Sequence, residues 1–406
     1  MKKKLFPMLL LPLLLAAEDF EAYPDAAALR RVWLEFDAGN PAPESFPVRE
    51  LARLSAEIYR TAPVGALQYG MTEGYAPLRA AVAKRQKEVF GIGKSRAAGD
   101  AFDDSTIIVS GGQQGIELAC KAFCNEGDVV LCENPTFIGA LNAFRSNGAV
   151  PVGVEMGENG ITPAALEAAI AANPRAKLIY LIPTFQNPTG ITTGLAARRE
   201  IYEIAKRHRL PIIEDNPYGE LRFAGTDIPT IKSMDTEGLV IYCSTFSKIL
   251  SAGMRVGFVV APEEITAKMV IAKQVEDVHT NQFFQMLCHR YMTECDLNAH
   301  IESIRAIYRR KCALMLECLE KELPRGVTFT RPEGGLFLWC TLPAEVDGAA
   351  FVQKALERKV AVVPGATFDC TPGAPSRAFR LNYSTPTEEQ IIEGCRRLGA
   401  AARECL

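Results

Sequence analysis

Leu239-Val240-Ile241-Tyr242-Cys243-Ser244-Thr245-Phe246-Ser247-Lys248-Ile249-Leu250-Ser251-Ala252-Gly253-Met254-Arg255-Val256-Gly257 opens as an apolar run and closes on small and basic residues. The run at 239–243 reads as a buried strand, and the residues beyond it stand where a strand end faces a cleft. Short β-rich runs of the same kind recur at 107–110, 129–132, 150–154, 178–182, 211–214 and 256–260, mostly separated by helical patterns. Strands alternating with helices predict an α/β fold with a mainly parallel seven-stranded sheet, doubly wound, whose ligand lies at the carboxyl ends of the strands. Upstream, helical spacing covers 48–60 and 77–90, the second opened by Pro77, with a loop expected over 65–74. Downstream, helical patterns fill 262–323, and a smaller α+β tail follows with strands near 327–330, 336–340 and 379–382.

A chain of 406 residues, 48% of them hydrophobic, is long enough for two or three domains with large cores. A net charge of -3 and a pI near 6.0 give no basic footprint, so nucleic acid is not an expected partner. Twelve cysteines are scattered without close pairs, which predicts neither a zinc site nor a disulfide framework and fits a reducing, cytoplasmic compartment. The four histidines show no ligand spacing, and no metal is assigned. Three lysines within 1–4 and the apolar run 5–17 resemble the start of a secretory signal, but the small-residue cleavage pattern is poor and the run is too short to span a bilayer. The expectation is an apolar arm over 1–38 packed on a partner subunit, without stable membrane insertion.

Chemistry collects at the strand ends. After the first strand, Ser110-Gly111-Gly112-Gln113-Gln114-Gly115 leads into a helical pattern; small residues before a helix N-terminus let backbone amides meet an anion. Phe137, after the second, can cover a flat heteroaromatic ring. Asn187, in the turn Gln186-Asn187-Pro188-Thr189-Gly190, offers an amide donor, and Asp215 puts a carboxylate at a strand end with the phenol of Tyr218 three residues on. Lys248 supplies an amine whose pKa burial can depress, Arg255 a guanidinium fork, and Gly253 and Gly257 are read as permitting close backbone approach. Each alone has an ordinary structural explanation. Together they meet the separate needs of pyridoxal phosphate: an anion site, a ring cover, hydrogen bonds to the ring oxygen, a counter-ion for the ring nitrogen, and an amine for the aldehyde.

This set resembles the fold type I pyridoxal-phosphate aminotransferases, most closely the branch of 2-aminoadipate and kynurenine aminotransferases. The resemblance runs from about Gly39 to the C-terminus, and is carried further by Leu67-Gln68-Tyr69-Gly70, Asp215-Asn216-Pro217-Tyr218-Gly219, Thr245-Phe246-Ser247-Lys248, Val363-Pro364-Gly365-Ala366 and Phe379-Arg380-Leu381-Asn382-Tyr383-Ser384. It implies a large cofactor-binding domain over 63–290 and a small domain formed by 39–62 with 291–406. It implies that Lys248 holds the cofactor covalently and shuttles a proton, that Asp215 keeps the ring nitrogen protonated, that Asn187 and Tyr218 hold the ring oxygen, and that Phe137 stacks on the ring. Gly112, Gln113, Thr245, Ser247 and Arg255 would bind the phosphate, and Tyr69 would reach the phosphate of a neighbouring subunit, making a homodimer. Arg380 would take the substrate α-carboxylate, with Asn187 and Gly39 beside it. Gly112 stands where a serine is common, leaving only its amide; Thr245 replaces a serine and keeps the hydroxyl.

The resemblance implies transfer of an amino group between an L-amino acid, of 2-aminoadipate, aromatic or branched-chain type, and a 2-oxo acid such as 2-oxoglutarate, in two half-reactions. The same cofactor also serves carbon-sulfur β-elimination, because the fold does not decide which bond breaks. A third reading is the effector module of a transcriptional regulator; the residues before Gly39 are apolar and then acidic, unlike a basic helix-turn-helix. Arg30 and Arg31 are candidates to meet a distal substrate carboxylate.

Overall fold

The computed structural model describes residues 34–37, 39–93 and 104–406. Residues 1–33 of the expected arm, with its signal-like start and Arg30 and Arg31, therefore lie outside the described residues; its described end departs from expectation, since Leu34 and Glu35 pair with Val360 and Ala361 of the same chain and Phe36 is buried in that chain's own core. The strands are β1 (Leu34–Glu35), β2 (Asp104–Val109), β3 (Val129–Asn134), β4 (Val150–Gly157), β5 (Gly160–Ile161), β6 (Ala176–Leu181), β7 (Ile212–Asp215), β8 (Val240–Thr245), β9 (Gly257–Pro262), β10 (Thr328–Phe329), β11 (Phe337–Thr341), β12 (Val360–Ala361), β13 (Val363–Pro364) and β14 (Ala378–Asn382).

The large sheet has eight strands in the order β2-β9-β8-β7-β6-β3-β4-β5. The seven runs read from the sequence all form it, and the eighth strand, β5, is two residues hairpinned back on β4. Four neighbouring pairs are parallel: β3 with β4, β3 with β6, β6 with β7, and β7 with β8. Central strands are covered on both faces, so β7 and the last four residues of β6 are wholly buried, and Leu178-Ile179-Tyr180-Leu181 of β6 reads as a continuous apolar run rather than an alternating one. β4, near the rim, has only one fully buried residue.

β9 runs antiparallel to both β8 and β2. This reversal decides the site. β2 thereby points the same way as β8, so the carboxyl ends of β2, β3, β6, β7 and β8 share one edge, and β9 begins at that edge with Arg255 just before it. Gly257 pairs with Val109 and Thr245, and a Cβ there would come within 2.7 Å of the Gly111 carbonyl carbon. Close approach thus requires glycine at 257, as expected. Gly253 does not bear out the same expectation: a Cβ there would meet nothing nearer than 3.8 Å.

A second sheet, β10-β11-β14-β13, is antiparallel, and β1 pairs with β12. Helices Leu297–Glu322 and Glu388–Cys405 pack together beside this sheet, the latter opened by a capping box between Thr387 and Gln390. Helices Val48–Thr61 and Ala76–Phe90 form where helical spacing predicted them. The loop expected over 65–74 begins later, because Pro63–Leu67 is a short helix with proline in its first turn. No described helix is long and apolar enough to cross a membrane.

Candidate active site

The shared strand edge opens into a cavity of about 520 Å³. Among its described lining residues are three cations, Lys248, Arg255 and Arg380, and one carboxylate, Asp215. Gly39, Gly112, Gln113, Phe137, Asn187, Tyr218, Thr245 and Ser247 line it as well. Of the described residues assigned a cofactor or substrate role, only Tyr69 is elsewhere: it is 80% exposed on the surface, edge-on to His279 at 5.7 Å. An excess of positive charge in a low-dielectric hollow favours an anionic ligand.

One end of the cavity is an anion cradle. Helix Gly112–Phe123 starts there with Gly111 as its cap, and the first amides of a helix have no partners within it. Gly111 sits at φ +81, and a Cβ on it would fall 2.2 Å from Arg255 Nη2. The guanidinium is held in place by donating to the carbonyls of Ala252 (3.2 Å) and Ser110 (3.2 Å). Thr245 donates from Oγ1 to Ser247 Oγ at 2.8 Å and accepts from the Ser247 amide at 3.1 Å, fixing two hydroxyls beside that fork. The Gln113 side chain departs from expectation: its Nε2 donates to the Gly139 carbonyl at 2.7 Å, so its amide group is spent on the loop. Gly139 is required here, since a Cβ would lie 2.4 Å from both the Phe137 ring and Gln113 Oε1.

The centre holds Lys248 and Asp215. Lys248 Nζ donates to the Gly39 carbonyl at 2.6 Å. Lys248 lines the cavity, and burial, helped by Arg380 and Arg255 and opposed by Asp215, lowers its pKa to about 8. Asp215 ends β7 and is buried; burial raises its pKa to about 7, against a hydrogen bond from Tyr180 and the charge of Lys248. Burial likewise pushes the Tyr218 phenol up, with Asp215 adding to it and Arg380 and a hydrogen bond from the Asn187 side chain opposing.

At the far end Arg380 lies on β14, between Trp339 of β11 and Val363 of β13. Its guanidinium is sandwiched over Phe337 (4.1 Å) and Phe368 (5.0 Å), and it donates to Asn187 Oδ1 (2.8 Å) and the Asp37 carbonyl (2.7 Å). Burial lowers its pKa to about 10. Nε is buried without a partner among the described residues, a donor that gains from a ligand. The turn carrying Asn187 is braced from behind: Gln186 accepts from the Thr189 amide (2.9 Å) and donates to the Pro135 carbonyl (2.7 Å), and buried Arg198 donates to the Pro183 carbonyl (2.7 Å).

Sequence reasoning missed Phe337, the Gly39 carbonyl as a lysine partner, and the braces Gln186, Arg198 and Tyr180. Phe337 had a signal, an aromatic two residues past the Gly334-Gly335 pair in an apolar run that reads as a strand; the braces look like ordinary core or turn residues until the strands are placed side by side.

The sheet order and this edge, with its buried amine, carboxylate and anion cradle, define an enzyme of fold type I that works with pyridoxal 5′-phosphate. The family model described as aminotransferase class I and II matches residues 31–398. The chain is 41% identical to the 2-aminoadipate transaminase of Thermus thermophilus, covering 92% of this chain and 91% of that one. It is 38% identical to aromatic-amino-acid aminotransferase 1 of Thermococcus litoralis, over 90% of this chain and 87% of that one. Among solved structures, the alpha-aminoadipate aminotransferase LysN of Thermus thermophilus, complexed with N-(5'-phosphopyridoxyl)-L-leucine, superposes with a TM-score of 0.83 at 39% identity, covering 95% of this chain and 98% of that one. The chain belongs to the class I and II aminotransferases. It is an aminotransferase, and its substrates are amino acids and 2-oxo acids.

The residues present fit the cofactor. A Cβ at 111 would displace the guanidinium from the cradle, and the unpartnered Arg380 Nε leaves a donor for a carboxylate beyond it. Neither feature is explained by packing alone.

Proposed function

We propose that the enzyme moves an amino group from a 2-aminoadipate-type or aromatic L-amino acid to 2-oxoglutarate in two half-reactions, with Lys248 as covalent anchor and proton carrier. The carrying observation is the Lys248 amine, depressed to about 8, inside one cavity with Asp215 and between two guanidinium groups. When bound, pyridoxal phosphate supplies an electron-withdrawing ring that stabilises negative charge at the substrate α-carbon. The protein's share is positioning and proton transfer.

In this reading Arg255, the Thr245 and Ser247 hydroxyls and the amides of Gly112 and Gln113 hold the phosphate. Phe137 covers one ring face, Asn187 and Tyr218 hold the ring oxygen, and Asp215 pairs with the ring nitrogen. Arg380 grips the α-carboxylate as a fork, supported by Asn187 and with Gly39 forming the adjoining wall, so the α-hydrogen is turned toward Lys248 Nζ. Neutral Lys248 would take that proton from the α-carbon and pass it on across the same face, and water would then have to release the 2-oxo acid for half of the exchange to be complete. The relatives named for 2-aminoadipate and for aromatic amino acids support the choice of donors.

A homodimer belongs to the same reading. Val64, Leu67, Tyr69 and Met71 expose apolar side chains, Tyr69 lying against His279 next to exposed Val278, and a second copy would cover them. Tyr69 would then reach the neighbouring phosphate. The division into a large domain, 63–290, and a small one, 39–62 with 291–406, is supported by the two separate sheets; β1 would join the small domain through β12. Twelve free cysteines support a reducing, cytoplasmic compartment.

Initial rates with a panel of amino donors and 2-oxoglutarate test this. Parallel reciprocal plots with 2-aminoadipate, or with phenylalanine and tyrosine, are expected. Activity confined to other donors, or pyruvate release from cystathionine without amino transfer, would overturn the substrate assignment.

A further inference from the structure

Tyr180 stands on β6 opposite Ile213 of β7, two residues behind Asp215 on the neighbouring strand. Side chains two apart on a strand share a face, so the long phenol can reach forward along it to the carboxylate. Its hydroxyl donates to Asp215 Oδ2 at 2.8 Å. Tyr180 has no exposed surface, and Phe144 meets its ring edge-on at 5.5 Å, which fixes the direction of the hydroxyl. Among the described residues this is the one hydrogen bond that the Asp215 side chain receives.

We infer that Tyr180 is a positioning residue that keeps the Asp215 carboxylate charged and turned so that its second oxygen faces the cavity. The inference rests on the reading of Asp215 as partner of the ring nitrogen. Burying a carboxylate without a donor is costly, and the cost is relieved either by a hydrogen bond or by taking up a proton. A protonated Asp215 could not hold a proton on the ring nitrogen, and the ring would lose its pull on the α-carbon electrons. Tyr180 does not line the cavity, so its hydroxyl acts only through Asp215. The direction of the Asp215 pKa agrees: burial raises it, and the Tyr180 hydrogen bond is the first influence that lowers it.

The test compares holoenzymes of wild type, Tyr180→Phe, Asp215→Asn and the double variant. Loss of one hydrogen bond to a charged group predicts that Y180F lowers kcat roughly ten- to a hundredfold, with KM for the amino donor within about twofold. The pH at which the visible absorbance band of the holoenzyme changes is expected to move upward, because less positive charge remains on the ring. In the D215N background, Y180F is expected to add no further loss, since no carboxylate is left to hold. A Y180F enzyme within about twofold of wild type in kcat and unshifted in its absorbance, or losses that multiply in the double variant, overturns the inference. Wild-type behaviour of D215N alone overturns the Asp215 assignment instead. Should Y180F not fold, recovery of folding in the double variant supports the coupling, and failure of both overturns it.

Discussion

Replacing Arg380 by alanine removes a guanidinium that donates at 2.8 Å to Asn187 and at 2.7 Å to the Asp37 carbonyl and is packed between Phe337 and Phe368. Two costs follow, and they read out separately. In the free protein, Asn187 Oδ1 loses its donor, at about 1–3 kcal/mol for a buried acceptor left unmatched. That predicts a lower denaturation midpoint with the fold retained. In the substrate complex, loss of a desolvated two-pronged charge pair costs about 2–5 kcal/mol, or roughly a thirtyfold to several-thousandfold fall in kcat/KM. The second effect exceeds the first and depends on the ligand. Initial rates should therefore be measured with an α-amino acid and with the corresponding amine lacking the carboxylate. Arg380→Ala should erase most of the wild-type preference for the amino acid, and Arg380→Lys, which keeps charge but not the fork, should fall between them. Equal loss toward both compounds would refute the assignment of Arg380 to the carboxylate.

Lys248→Ala is expected to abolish cofactor retention after borohydride treatment and to lower kcat by more than about a thousandfold; retained cofactor would count against it. Because Lys248 is depressed to about 8, the rate at which cofactor-free protein captures pyridoxal phosphate should rise roughly tenfold per pH unit up to about 8 and then level, whereas a rise continuing past pH 10 would contradict the burial argument. Asp215 has its folded pKa raised to about 7 from 3.8, so the folded state binds the extra proton between those values; stability of the cofactor-free protein should fall as pH rises from about 4 to 7, with a shallower slope in Asp215→Asn. Gly111→Ala would drive a methyl into Arg255 and should weaken cofactor affinity at least tenfold by equilibrium titration, an unchanged affinity arguing against the cradle. Leu67→Glu on the exposed apolar face should shift sedimentation toward monomer and reduce activity.

The sheet and most of the site were legible because strand ends in an α/β sheet share an edge, so the alternation of strands and helices alone brings residues far apart in sequence together. Lys248, Asp215, Asn187 and Arg255 were found that way. What escaped depended on register or backbone. The reversal of β9 leaves no trace in an apolar run such as 256–260, because parallel and antiparallel buried strands use the same residues. Gly65 suggested a loop, but the proline at 63 opens a short helix there. The Gly39 carbonyl carries no side-chain signature, and Gln113 looked like a phosphate ligand until Gly139 offered a closer acceptor. Tyr180 reads as one more core aromatic until β6 is laid beside β7.

Arg380 reaches back 343 positions to Asp37 and 193 positions to Asn187. During synthesis, therefore, every residue from Gly112 to Arg255 that is proposed to hold the cofactor is made before Arg380, the arginine proposed to hold the substrate carboxylate. A nascent chain that takes up cofactor at that stage would have the reactive ring but no grip on an amino acid. On that assignment, productive grip on an amino acid would wait until both ends of the polypeptide had met, and a product lacking the last thirty or so residues would lose Arg380 and that grip with it.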